Sequence, residues 1–259
     1  MVIIFQYFQF MKSGRILEHQ KILIVLKIKK LVMKNSNRIL CIVAHPDDEA
    51  LGVGGTLIKH SEKGDEVYIA ILSEGEDSKQ KMQEKNPARN LNAKAWSQFA
   101  DCELYATLDF PDQRLDAVPE LDIVKKLEDF VRNISPNIVY THSLSDINKD
   151  HQVVASATLA AIRPISSHKV NPEIRGFETP SSTDQAPMIG QYIFRPNLYV
   201  DITNQWSKKL KGLKIYQDEL RDFPHARSIK AIEALAIKRG SESGLELAEA
   251  FTLYRKIYK

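Results

Sequence analysis

The stretch Ile39-Leu40-Cys41-Ile42-Val43-Ala44-His45-Pro46-Asp47-Asp48-Glu49 decides how the chain is read. Its first half is an unbroken apolar run with β-branched residues, the pattern of a strand buried on both faces of a parallel sheet. Its second half places an imidazole beside three carboxylates. A helical pattern follows over residues 49–63, with Gly52, Gly54 and Gly55 in its opening turns. Glycine weakens a helix, so these positions are expected to meet a ligand or another strand at close range. Open α/β sheets bind ligands outside the carboxyl ends of their strands, so the polar cluster falls where function is expected.

Outward from that stretch, strand and helix patterns alternate. Gly64-Asp65 turns into a strand over 67–72, which ends in a second polar cluster, Ser73-Glu74-Gly75-Glu76. Pro87 opens a helix to about Ala100, and an extended piece over 103–108 leads into Phe110-Pro111-Asp112-Gln113-Arg114. Helical periodicity over 121–133 is broken by Ile134-Ser135-Pro136-Asn137, and Ile138-Val139-Tyr140 is a further strand. That strand runs into Thr141-His142-Ser143-Leu144-Ser145-Asp146-Ile147-Asn148-Lys149-Asp150-His151, ahead of a small-residue helix over 153–162. Farther on, residues 192–202 suggest one or two strands and 206–220 a basic amphipathic helix. Phe223-Pro224-His225-Ala226-Arg227-Ser228 then separates two helices. Repeated βα units predict one Rossmann-like α/β domain over residues 37–259, a mostly parallel sheet with helices on both faces.

Residues 1–36 differ in character. Their apolar runs, 2–11 and 22–32, are short or interrupted by Lys27, Lys29 and Lys30. Neither approaches the roughly 20 apolar residues that span a bilayer. No small-residue cleavage site follows, so a secretory signal is a poor match. The expectation is a poorly ordered extension with Met33 as an alternative initiator. An amphipathic segment lying on a membrane surface is the competing reading.

With 259 residues, 43% of them hydrophobic and 27% charged, the chain can bury the core of one large α/β domain. The formal net charge of +3 is small and the basic residues are scattered, which excludes the electrostatic footprint of a nucleic-acid binder. Cys41 and Cys102 form neither a disulfide framework nor a zinc-thiolate spacing, so a cytoplasmic protein without stable membrane insertion is expected. A homo-oligomer is compatible with the sequence.

An aspartate or glutamate in a first helical turn usually caps free backbone N–H groups, and that bland reading applies to Asp48 or Glu49 taken alone. His60 and His168 read as surface residues. His45 and His151 differ, because each lies beside aspartates at a strand–helix junction. A catalytic zinc site takes three nitrogen or oxygen ligands and keeps one position open. Two histidines and one aspartate meet that need and leave a second aspartate for proton transfer, so the spacing points to a metal hydrolase.

His45-Pro46-Asp47-Asp48-Glu49 with Gly54-Gly55 behind it, together with Asp146-Ile147-Asn148-Lys149-Asp150-His151, resembles the PIG-L/LmbE-like deacetylases. The likeness extends to Ser73-Glu74-Gly75-Glu76, Arg89 and the stretch from Arg239-Gly240 to Ala248-Glu249-Ala250-Phe251. It implies a zinc-dependent N-deacetylase of the hydrolase class, with another divalent transition metal as an alternative. The implied substrate is a small N-acetylglucosamine-type amino sugar, free, nucleotide-linked or carrier-linked. The resemblance makes His45, Asp48 and His151 the zinc ligands and Asp47 the general base. It also marks a departure: where many members carry a histidine that stabilises the oxyanion, this chain has Asn148, read either as a neutral hydrogen-bond donor or as a residue that shapes the loop. Asp150 is expected to support His151, while His142 and Arg89 are candidates for the missing positive charge. Asp112, Arg114 and His225 are candidate substrate contacts, as is the polar loop 178–184. An amidase or deformylase acting on a non-sugar amide, and a sugar- or metal-binding protein without turnover, are the competing readings. Retention of Asp47 speaks against the latter.

Overall fold

The computed structural model describes residues 36–73, 87–164, 170–190 and 193–258. The expected N-terminal extension up to residue 35, the cluster from Glu74 to Glu76, and His168 lie outside the described residues. From Asn37 onward the chain is a single compact unit.

Seven strands form its sheet, in the order β3-β2-β1-β4-β5-β7-β6. β1 (Arg38–Val43) lies between β2 (Glu66–Ser73) and β4 (Ile138–His142), with Ile39 opposite Val67 on one side and Ile138 on the other. β3 (Glu103–Phe110) and β5 (Glu173–Phe177) continue the parallel part outward. β7 (Ala248–Arg255) runs antiparallel to both β5 and β6 (Leu198–Asp201). The Rossmann-like expectation holds, with an antiparallel edge that the strand–helix alternation did not announce. The predicted strands do not include β5, which is five residues long and contains Gly176, or β7, which follows the turn at Ser243-Gly244.

The helices are α1 (Asp48–Glu62), α2 (Pro87–Ala100), α3 (Glu120–Ile134), α4 (Lys149–Ala161), α5 (Trp206–Leu213) and α6 (Ile229–Ser241). The helix expected over 206–220 stops at Leu213 and continues as a tighter 3-10 segment to Glu219. Because β1 is central, alternate residues of it feed two cores. Ile39, Cys41 and Val43 pack with α1, Trp96 of α2 and α5, whereas Leu40 and Ile42 pack with Leu127 of α3 and Val154 of α4. Strand order reverses at the β1–β4 pair, and the crevice at their carboxyl ends is where such a sheet receives a ligand.

The glycines of α1 are explained by close approach. A Cβ on Gly52 would stand 2.3 Å from Phe177 Cδ2, and one on Gly55 would stand 2.9 Å from Ile202 Cγ2. Inside the same helix, Gly55 N–H and Thr56 N–H donate to Glu249 of β7 at 2.8 and 2.7 Å. Lys209 of α5 pairs with Glu249 at 2.7 Å and donates to Leu51 O, the carbonyl that Gly55 N–H would meet in a regular helix. A buried ion pair is thus inserted beside the helix ladder, one turn beyond Asp48.

Candidate metal centre

At the end of β1 the chain turns sharply. Asp47 has φ 113° and ψ −29°, a left-handed conformation unusual for a residue with a side chain, and its carbonyl accepts from Ala50 N–H and Leu51 N–H to start α1. Its own N–H donates to Glu49 Oε2 at 3.1 Å, while Glu49 Oε1 accepts from Tyr216 at 2.5 Å. Burial pushes the Glu49 carboxyl up to about 8.

The turn brings Asp48 against residues from β4 and α4. His45, Asp48 and His151 each offer a ligand atom within 4.8 Å of the others, and all three are buried. His45 Nδ1 and His151 Nε2 both stand 3.3 Å from Asp48 Oδ2. Asp48 Oδ1 and His151 Nε2 are buried without a hydrogen bond among the described residues, an expensive state for such atoms unless a ligand satisfies them. Although burial opposes charge on either group, His151 holds Asp48 well below the usual carboxylate range, and Asp48 lifts His151 to about 9. His45 is likewise raised by Asp112, Asp150 and Asp48 against its burial. The cluster therefore calls for positive charge, and a divalent ion on two imidazoles and a carboxylate supplies it. The donor set fits a transition metal.

The outer partners fix which imidazole nitrogen faces the centre. Behind His151, Asp146 Oδ2 lies 3.1 Å from Nδ1, and Asp146 in turn accepts from Ser182 and from Thr183, the latter at 2.7 Å. Behind His45, Nε2 meets Asp112 Oδ1 at 2.9 Å and Asp150 Oδ2 at 3.1 Å. Asp150 also accepts from Gln113 N–H and Leu115 N–H, so it organises the loop after β3. The expectation for Asp150 thus needs correction: it lies behind His45, and Asp146, quoted in the motif but given no role, lies behind His151. His45, Asp112 and Asp150 also converge as a group. Because His45 Nδ1 already faces Asp48, we read that group as the hydrogen-bonding support of one metal ligand.

His142 is fully buried and stacks on His151 with ring centroids 3.9 Å apart. Its Nε2 accepts from Ala44 N–H at 3.0 Å, and burial pushes it down to about 4. With Nε2 accepting that bond it is a neutral plate beneath the centre, contrary to the expectation that it supplies the missing positive charge. Asn148 caps α4 by accepting from Asp150 N–H at 2.8 Å. Arg89 lies in the first turn of α2, with its side chain outside the described residues. His225 is exposed and accepts from Arg227 N–H, and Arg114 is exposed as well. The residue that reaches the site from the 223–228 loop is Arg227, whose Nη1 donates to Asp47 Oδ2 at 2.9 Å. A sequence separation of 180 residues hid that pair.

Comparison with known proteins gives the family of the chain. Residues 40–162 match the PIG-L family model, described as GlcNAc-PI de-N-acetylase. The uncharacterized deacetylase YaiS of Escherichia coli is 30% identical over 182 residues, covering 68% of this chain and 88% of its own. A 4-oxalmesaconate hydratase of Pseudomonas putida is 29% identical over 189 residues, covering 68% of this chain and 71% of its own. Among solved structures, the N,N'-diacetylchitobiose deacetylase of Pyrococcus horikoshii superposes with a TM-score of 0.70 at 20% identity, covering 85% of each chain. That last likeness concerns the fold. The match of residues 40–162 to the family model, a span that includes the strand, turn and helices carrying His45, Asp48 and His151, and the likeness to YaiS place the chain in the PIG-L family.

Proposed function

We propose that the chain is a zinc-dependent hydrolase that removes the acetyl group from an N-acetylated amino sugar. The observation that carries this reading is the convergence of His45, Asp48 and His151 beside an aspartate, Asp47, that does not belong to the ligand set. A divalent ion held there would polarise an amide carbonyl and make water more acidic. Asp47 takes the proton from the attacking water and returns it to the departing amine, a shuttle that contributes about two to four orders of magnitude. Asp146 and Asp150 keep the two imidazoles in the required tautomers, and His142 fixes the plane of His151. Support for the acetyl group and for a sugar comes from relatives: YaiS bears the name of a deacetylase, and a relative from Thermococcus kodakarensis that of a diacetylchitobiose deacetylase.

A second reading, water addition to an unsaturated carboxylate, is favoured by the hydratase from Pseudomonas putida. The test is a panel of N-acetylhexosamine derivatives, N-formyl and N-acyl non-sugar amides and unsaturated carboxylates, assayed with added zinc for acid release, new primary amine and loss of conjugated absorbance. Acetate and amine in equal amounts from an amino sugar support the proposal. Turnover of the unsaturated carboxylates alone would replace it.

A further inference from the structure

We propose that Arg227 is a positioning residue that holds the Asp47 carboxylate in its working orientation; this rests on the hydrolase reading above. The Asp47 main chain is fixed by the left-handed turn and by Glu49, and these are contacts of the backbone, not of the carboxylate. Arg227 Nη1 grips Oδ2 at 2.9 Å, where Asp47 is almost completely buried and the Arg227 side chain is 19% exposed. The Arg227 guanidinium is itself secured from two other segments, and its main chain from within its own loop. Its Nε donates to Ser181 Oγ at 2.8 Å, its Nη1 also approaches Glu219 Oε2 at 3.3 Å, and its N–H donates to His225 Nδ1 at 3.0 Å. A planar guanidinium tied at several edges gives a fixed direction, which a flexible surface lysine would not. Ser181 belongs to the loop whose Ser182 and Thr183 hold Asp146, so one loop supports both the metal-ligand side and the base side of the centre.

A purely structural staple between the loops at Ser181 and Arg227 would show the same contacts, so the test must read through Asp47. In Arg227→Ala, zinc content should equal that of the native protein and kcat should fall about 10- to 100-fold with KM little changed, the cost of a misplaced reacting group. In an Asp47→Asn background the same substitution should change kcat by less than about twofold, because a residue acting through Asp47 has nothing left to position. Crystal structures of native protein and Arg227→Ala should show the Asp47 side chain displaced. Should Arg227→Ala fail to fold, Arg227→Lys carries the same comparison, with melting temperature as the check on folding. The proposal is overturned by native kcat in a folded variant, by an effect confined to KM, by a loss that adds in full to that of Asp47→Asn, or by an unmoved Asp47. A native protein that deacetylates nothing, with Asp47 displaced in the variant, would defeat the hydrolase reading and leave the placement standing.

Discussion

Asp146 stands behind His151, its Oδ2 3.1 Å from Nδ1, and so determines that Nε2 is the nitrogen left to face a metal. Removing the charge from that carboxylate should loosen the ligand without removing it. Asp146→Asn is therefore expected to weaken zinc affinity by about 10- to 100-fold, and His151→Ala to abolish retention. Competition against a chelator of known affinity measures both. Native affinity in Asp146→Asn would mean that Ser182 and the His142 stack orient the ring without it.

Asp47 and Asp48 are sequence neighbours with different partners, and substitution should separate them. Asp47→Asn preserves shape but accepts no proton, so metal content should survive while kcat falls about a hundredfold or more. Asp48→Asn should lose metal first. Equal zinc loss in the two variants would show that Asp47 is a ligand.

Gly52 lies in the turn of α1 that carries Asp48, and an added methyl group would collide with the Phe177 ring and approach Glu178 O to 2.9 Å. Gly52→Ala should cost about 1–3 kcal/mol through overpacking. The helix can relieve the clash only by moving Asp48, so zinc retention should fall together with melting temperature. A variant with native stability and native zinc content would show that Phe177 yields instead.

His60 gives a pH dependence away from the centre. Burial lowers its pKa below 6.5 although Asp65 lies 2.6 Å from Nδ1, and its Nε2 meets Tyr140 at 2.9 Å. The unfolded chain therefore takes up a proton at a pH where the folded chain does not. Stability from this group is fully present above about 6.5 and is lost as pH falls from there toward the folded pKa. Metal-free native protein and His60→Gln, unfolded in urea between pH 8 and pH 5, should differ in slope only below that point. Parallel curves would assign the acid sensitivity to other groups.

For residues 1–36 we propose that the domain folds and works without them. A chain beginning at Met33 should match the full chain in melting temperature and activity, since β1 starts at Arg38. A large drop in melting temperature would show that the early apolar runs are packed.

The parallel half of the fold was legible because β1, β2 and β4 are apolar runs that end in polar clusters, which places the clusters at one edge of the sheet. Local patterns also singled out His45 and His151, and the family resemblance added Asp48. What stayed hidden depends on tertiary contact. Asp146 and Asp150 differ only in which imidazole they reach across the crevice, and spacing along the loop could not tell them apart. Arg227 sits beside the more conspicuous His225, yet the turn sends the guanidinium inward and leaves the imidazole exposed. β7 was hidden because its role is to pair with strands already formed, and nothing local marks that.

The grip of Glu249 on Gly55 and Thr56 has a consequence for the order of assembly during synthesis. The turn that carries Asp48 is made early, but the carboxylate that steadies the helix behind it arrives 194 residues later. A nascent chain that has not yet released β7 from the ribosome leaves Lys209 without its buried partner and β5 and β6 without the strand between them. Any metal met at that stage would find loosely held ligands, so stable uptake is expected only after β7 has paired.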